Sequence, residues 1–493
     1  MTTLKPIMLG GTGSDVGKSL IAAALCRIFL QDGYHPAPFK AQNMALNSFA
    51  TADGGEIGRA QAVQAEAAGI ECVTDMNPIL LKPSGDRMSQ VVLNGKPIGN
   101  RDAYEYYHGD GRERLREEAC KAFDRLAMQY NPIVMEGAGS IAEINLKDTD
   151  LVNIPMARHA DAAVLLVADI DRGGVFASLY GSIMLQSPDD RKLIRGIIVN
   201  KFRGDMRLFD SGRRMIEDIC GVPVLGVLPY MDDISIEAED SVALSKMNTT
   251  AGEGVVNVAV IRLPRLSNFT DFDRLAARDG VNLYYTFSPD EVRKADIIIL
   301  PGTKSTISDL VAVRNSGIEQ AILESRRRGK TVLGICGGYQ MLGKEISDPD
   351  GIEGKPGRVN GLGLLPVSTV ITEAKITERK RFSLTPGGKM LDGYEIHQGR
   401  SVIEDECVPP MIYYADGTTD GCVADEKCMG SYMHGVLDHD EMIDRILAPY
   451  KKDGIEGAVT DYAAFKESQY DLLAERVREY LDMDKLYEIM GAR

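Results

Sequence analysis

Thr331-Val-Leu-Gly-Ile-Cys336-Gly-Gly-Tyr-Gln340 reads as a short apolar strand, a sharp turn carrying a thiol, and the first turn of a helix. Gly334 and Gly338 flank Cys336 in a G-x-C-x-G pattern, the nucleophile-elbow arrangement with sulfur in place of a hydroxyl. A nucleophile on such a turn takes a strained backbone, so its neighbours must lack side chains. The helix that follows favours a thiolate at its N-terminus. An isolated cysteine ending an apolar strand is ordinarily a small buried hydrophobe. The glycine spacing argues for chemistry instead. About a hundred residues on, Gly430-Ser-Tyr-Met-His434-Gly-Val436 sets a histidine between glycines, a candidate base brought to Cys336 only by the fold.

At these residues the chain resembles the class I (triad-type) glutamine amidotransferases, which release ammonia from L-glutamine through a cysteinyl thioester. Gly393-Tyr-Glu-Ile-His397-Gln-Gly399 and Leu300-Pro-Gly-Thr-Lys-Ser305 resemble motifs of the corrin-pathway branch of that class. Most members of the class carry a Glu two residues after the catalytic His to orient it. Here that place is Val436, and the corrin-pathway branch lacks the Glu too. The candidates left to hold His434 are, in order, a backbone carbonyl, Asp438 and Glu395. The expectation is therefore a slow glutaminase that depends weakly on any single carboxylate. Backbone N–H groups at Gly302 and Gly337 are candidates for an oxyanion hole.

The chain start carries a second chemistry. Pro6-Ile-Met-Leu-Gly10 is an apolar strand, followed by Gly11-Thr-Gly-Ser-Asp-Val-Gly17-Lys18-Ser19 and the apolar helix 20–30. Strand, glycine-rich loop, then G-K-S at a helix start is a phosphate cradle: backbone N–H groups face phosphate, Lys18 neutralises it, and Ser19 can ligate magnesium. The strict pattern wants Gly where Thr12 stands. The longer G-T-x-x-x-x-G-K-S form, with Gly11, Thr12, Gly13, Asp15 and Gly17, resembles the dethiobiotin synthetase-like P-loop enzymes.

Lys40 ends a second strand, where the ligand crevice of an open α/β sheet lies. Glu136, in Pro132-Ile-Val-Met-Glu136-Gly-Ala-Gly139, falls where a Walker-B carboxylate would hold Mg²⁺. Glu56, read as the start of a helix, is a further magnesium candidate against the plainer reading of an exposed helix-start acid. Asn200 stands where this fold usually holds the base, adenine by resemblance. Lys82 and Arg87, in a loop-rich stretch, and Lys201 and Arg203 are cation pairs that a polycarboxylate substrate would need. Each alone is ordinarily a solvated charge.

The apolar runs 162–171, 193–201 and 222–228 continue a strand-helix rhythm, predicting a doubly wound, mostly parallel sheet. The fold class expected is α/β: an N-terminal P-loop NTPase-like sheet over 1–235, a linker over 236–254, a class I glutamine amidotransferase-like α/β domain over 255–450, and a C-terminal helical extension over 451–493. Within the second unit, Pro264-Arg-Leu-Ser-Asn268-Phe-Thr-Asp-Phe-Asp273 resembles the signature of the cobyric acid synthase family. That resemblance implies ATP- and glutamine-dependent amidation of the b, d, e and g carboxylates of a corrinoid, adenosylcobyrinic acid a,c-diamide. The alternatives are the related synthase that amidates the a and c carboxylates, and a partitioning-type ATPase switch with an inactive glutaminase-like appendage.

Composition bounds the partners, and leaves a polyanionic substrate to a local basic pocket. The 493 residues carry a formal charge of −16, which argues against a nucleic-acid or anionic-membrane partner. The 8 cysteines lack metal-type C-x-x-C spacing and read as reduced thiols of a cytoplasmic protein. No apolar run approaches bilayer length, and the N-terminus runs straight into a strand without a signal peptide. The oligomeric state is open at this level.

Overall fold

The computed structural model describes residues 3–85, 87–109, 111–237, 247–405, 407–450 and 462–491. Part of the expected linker and the segment before the last helices lie outside these residues.

The strand Ile7–Gly11 is buried at every position, and so is Ala163–Asp169. Strands covered on both faces read as continuous apolar runs, and that is how a parallel sheet is written in sequence. The order across this first sheet is Val224–Pro229, Ile194–Phe202, Ala163–Asp169, Ile7–Gly11, Ile133–Glu136, Ala37–Phe39, with every neighbouring pair parallel. After Ile7–Gly11 the chain runs first to one edge and then to the other. The switch point of a doubly wound sheet therefore lies at the P-loop. Register brings Leu9 beside both Glu136 and Leu165, and Asp169 beside Asn200, so the polar residues gather at the carboxyl ends.

The second parallel sheet runs Val281–Thr286, Val256–Ile261, Ile297–Leu300, Thr331–Ile335, Cys428–Ser431, with Cys422–Asp425 added antiparallel at the edge. Gly334 pairs with Gly430 and Ile335 with Ser431. The turns carrying Cys336 and His434 thus leave adjacent strands at the same end. A long antiparallel hairpin, Val367–Ser383 with Leu391–Ile403, stands beside this sheet. The α/β class expected from the sequence is what the chain adopts.

Two local expectations are corrected. Glu56 opens a short strand, Glu56–Gly58, and the helix begins at Arg59. Lys82 lies on a strand, Ile79–Pro83, of a second small sheet in the first half rather than in a loop. The C-terminal segment forms two helices, Tyr462–Tyr480 and Met483–Ile489. Tyr470, Leu473, Ala474 and Val477 pack into the same core as Ile21, Leu25 and Phe29 of the P-loop helix. Arg478 ion-pairs with Asp32, and Arg27 with Asp471. The chain end returns to the first sheet because the P-loop helix Lys18–Gln31 carries apolar residues on nearly every face. Among the described residues no helix is long and apolar enough to cross a membrane.

Candidate active site

The P-loop turn is built on backbone that only small residues tolerate. Gly17 has φ 97°, and a Cβ there would meet the Asn200 amide at 2.2 Å. Asn200 gives Nδ2 to the Val16 carbonyl at 2.8 Å, so it braces the loop from behind. Lys18 Nζ donates to the carbonyls of Gly13 and Gly139, both at 3.0 Å, arched back over the cradle. Ser19 Oγ donates to Glu136 Oε1 at 2.9 Å, and Lys40 Nζ reaches the same oxygen at 2.8 Å. Gln64 Nε2 donates to Glu136 Oε2 at 2.7 Å. A hydroxyl beside a carboxylate at the head of a phosphate cradle is the small oxygen set that Mg²⁺ takes while keeping its waters. Ser19 and Glu136 therefore fit that ion.

Glu56 does not. Its carboxylate is fully buried, between Lys82 Nζ at 2.5 Å, the Ser48 hydroxyl at 2.7 Å and the Lys375 ammonium. Burial alone would raise its pKa, but Lys375 and Lys82 outweigh burial and hold it well below the usual carboxylate range. Lys375 comes from the second half of the chain, so Glu56 is a clamp between the halves. Its two ammonium neighbours exclude a divalent cation.

The substrate cations are also redistributed. Lys82 lines the cavity of Cys336. Lys201 ion-pairs with Asp169 at 2.8 Å and donates to the Asp15 carbonyl, on the P-loop. Arg203 bonds Asp171 and lies with its guanidinium 3.5 Å from the Tyr230 ring centroid. Arg87 is exposed. A cavity of about 1550 Å³ joins Lys18, Ser19, Lys40 and Glu136 to a wall bearing Arg112, Arg116, Lys147 and Arg158, none of which the sequence singled out.

In the second half, Cys336 has φ 52° and ψ −111° at the mouth of the helix Gly337–Leu342. The glycine pattern has a packing cause. A Cβ on Gly338 would stand 1.9 Å from the Leu300 carbonyl oxygen, and one on Gly334 would stand 2.8 Å from Tyr339 Cα. Gly337 opens the helix, so its N–H has no intrahelical acceptor. A Cβ on Gly337 would lie 3.1 Å from Thr303 N, which brings the 302–303 turn against the elbow. Gly302 faces the His434 ring, with 3.1 Å between its would-be Cβ and Cε1.

His434 is 1% exposed and lies where the Cys336 charge acts on it, while the Cys336 thiol donates to the Ile396 carbonyl at 3.5 Å. Its Nδ1 lies 2.7 Å from Asp271 Oδ2. Tyr394 stacks on the ring at 5.1 Å between centroids. Burial alone would push the imidazole pKa down, but the charges of Asp271 and Cys336 outweigh it and raise it to about 10. Thiol, imidazole and carboxylate stand in the order that a catalytic triad takes. Neither carboxylate named beforehand takes the third place. Glu395 is engaged by Lys380 at 2.9 Å and by the Tyr414 hydroxyl, with His397 at 3.7 Å. Asp438 makes no hydrogen bond to the ring among the described residues, and burial lifts its carboxyl to about 7. Asp271 belongs to the very stretch 264–273 quoted above. The spacing of that stretch gave no sign that one of its acids reaches a ring 163 residues away.

The two halves also meet at residues 47–50, where the short strand Ser48–Ala50 lies. Ser48 N donates to Asn268 Oδ1 at 3.1 Å and Phe269 N to Asn47 Oδ1 at 3.2 Å. Phe49 packs edge-on against Tyr394, which itself covers His434. A phosphate cradle and a thiol glutaminase in one chain, locked face to face, define a glutamine-hydrolysing, ATP-dependent amide-forming ligase.

Residues 7–243 match the family described as the CobQ/CobB/MinD/ParA nucleotide binding domain, and residues 257–442 the CobB/CobQ-like glutamine amidotransferase domain. The chain is 61% identical over 488 residues to the cobyric acid synthase of Bacteroides fragilis, covering 99% of this chain and 98% of the relative. It is 54% identical to that of Parabacteroides distasonis and 47% identical to that of Salmonella choleraesuis, covering 98% of each chain in both cases. The chain belongs to the cobyric acid synthase family. These relatives favour neither the a,c-diamide synthase nor the ATPase-switch alternative.

Proposed function

We propose that this chain amidates the b, d, e and g carboxylates of adenosylcobyrinic acid a,c-diamide, using one L-glutamine and one ATP per amide, in the cytoplasm. In this reading residues 1–235 form the synthetase unit, 236–254 the linker, 255–450 the glutaminase and 451–493 a helical extension. The observation that carries it is the Cys336–His434–Asp271 triad set against the P-loop unit, in a chain so close to cobyric acid synthases over its whole length.

Carboxylates do not acylate amines at neutral pH. In the proposed reaction the corrinoid carboxylate attacks the γ-phosphorus of ATP, ADP leaves, and an acyl phosphate results. Lys18 and the P-loop N–H groups hold the phosphate oxygens as charge shifts towards the leaving group. Ser19 and Glu136 would hold Mg²⁺, which neutralises phosphate charge when bound. At the other site the Cys336 thiolate attacks the glutamine amide. The oxyanion faces the Gly302 and Gly337 N–H groups, and His434 protonates the departing ammonia. Water then cleaves the thioester to glutamate. Ammonia kept from bulk water stays unprotonated and displaces phosphate from the acyl phosphate.

Two features support an anionic amphiphile as acceptor. Arg112 gives two N–H groups to the Thr149 carbonyl and keeps a buried Nη1 without an acceptor. Met44 and Ile144, both exposed, line the same cavity and offer apolar surface to a macrocycle. The test is product mass after incubation with ATP, magnesium, glutamine and the a,c-diamide. Four successive losses of one mass unit support the reading. Two losses from unamidated cobyrinic acid, with none from the a,c-diamide, refute it.

A further inference from the structure

The Cys336 cavity carries charged side chains that the chemistry at sulfur does not use. Lys304 and Glu353 both line it, and neither forms an ion pair among the described residues. The other two lysines there, Lys82 and Lys375, are committed to Glu56. Among the described residues Lys304 Nζ has only the Gln398 amide oxygen at 3.4 Å, a weak contact. Glu353 accepts from Ile307 N and from Thr306 Oγ1, each at 3.1 Å. The Thr306 hydroxyl also lies 2.9 Å from Gln340 Oε1, and its one proton serves only one of these acceptors.

Distance ties these residues to the substrate. Gln340 sits one helical turn beyond Cys336, its N–H bonded to the Cys336 carbonyl. In glutamine, three carbon–carbon bonds separate the amide carbon from the α-carbon, a span of about 4 Å, a little under one helical turn. With the amide at Cys336, the α-groups arrive beside Gln340, Thr306 and Glu353. A half-buried carboxylate and a half-buried ammonium, each without an ion pair among the described residues, cost solvation until a ligand of opposite charges arrives.

We propose that Glu353 receives the α-ammonium of glutamine and Lys304 its α-carboxylate, so that this pair selects the free α-amino acid over other primary amides. The inference rests on the glutaminase reading of Cys336. An ammonium brings three donors to the Glu353 carboxylate, and a carboxylate replaces the long Gln398 contact at Lys304.

The empty-pocket carboxyl supports a pH signature. Burial raises Glu353 to about 7, with Asp348 adding to the rise and Lys304 opposing it. Lys304 in turn faces Lys82, Glu56 and Cys336, and burial lowers its pKa. A raised carboxyl is neutral below its pKa, and a neutral acid cannot pair with an ammonium. KM for glutamine should therefore fall as pH rises through about 7.

The experiment compares glutamate or glutarate release from L-glutamine and from glutaramate, which lacks the α-amino group. The wild-type protein should prefer glutamine by roughly 10- to 100-fold in kcat/KM, the range of a charged hydrogen bond. Glu353→Gln should erase most of that preference by raising KM for glutamine while leaving kinetics on glutaramate nearly unaltered. It should also flatten the pH dependence of KM, and Glu353→Asp should recover part of both. Lys304→Met should do the same for glutamine against 4-aminobutanamide, which lacks the carboxylate. Wild-type protein that fails to discriminate, or a Glu353→Gln variant that keeps full preference, overturns the assignment while the glutaminase reading stands. Wild-type protein that hydrolyses none of the amides removes the glutaminase reading, and the assignment with it. The wild-type comparison needs no variant, so misfolding of a variant leaves the proposal open to refutation.

Discussion

Asp271 Oδ2 stands 2.7 Å from His434 Nδ1, both side chains almost wholly buried. The contact fixes the tautomer: with Nδ1–H given to the carboxylate, Nε2 is the nitrogen left for the Cys336 thiol. It also reverses the expectation of a loosely held base. Asp271→Asn should cut glutamine-dependent turnover by roughly 10³- to 10⁴-fold, the cost of the wrong tautomer in a triad. Asp438→Asn and Glu395→Gln should each retain most activity. Steady-state kinetics on the three variants decides it, and near-normal turnover in Asp271→Asn sinks the triad.

The same pair shapes the alkaline limb. The imidazole is raised to about 10 because the Asp271 and Cys336 charges outweigh burial, so the imidazolium persists across neutral pH. Removing the Asp271 charge should move the alkaline fall of glutaminase rate towards lower pH. A pH–rate profile of Asp271→Asn with an unshifted alkaline limb contradicts this.

The two sites should separate by nitrogen source. Cys336→Ala should abolish synthesis from glutamine and leave synthesis from concentrated ammonium at alkaline pH, since only the ammonia generator is lost. Lys18→Ala should abolish both, because the acyl phosphate cannot form. Amide synthesis by Lys18→Ala from ammonium would place the nucleotide elsewhere.

Glu136 and Glu56 should part company. Glu136→Gln should raise the magnesium needed for half-maximal synthesis. Glu56→Gln should not, but should lower the melting temperature, since Lys82 and Lys375 then lose a buried counter-ion, a loss of about 3–5 kcal/mol. The sign follows from the depressed Glu56 pKa: its stabilisation is present above the ordinary glutamate range and fades as pH falls below it. The melting difference between wild type and Glu56→Gln should thus shrink in acid. Equal magnesium dependence in all three proteins would falsify the metal assignment.

Much of this was legible locally. The P-loop, the elbow and the strand rhythm are written in adjacent residues, because a phosphate cradle and a strained turn constrain backbone over a few positions. Lys18, Ser19, Glu136, Cys336 and His434 stand where those patterns put them. Glu56 and Lys82 were misread because an acid or a lysine in a short polar stretch looks solvated. Only their burial against Lys375, 319 residues from Glu56, reveals a clamp.

The sequence by itself determined the two chemistries and their order, since each rests on glycines and reactive side chains at fixed short spacing. Tertiary structure alone decided which acid holds His434, which lysines are free for a ligand, and that the C-terminal helices return to the P-loop helix. Those outcomes depend on contacts between residues hundreds of positions apart. Charge and burial there are set by packing, and no local spacing encodes them.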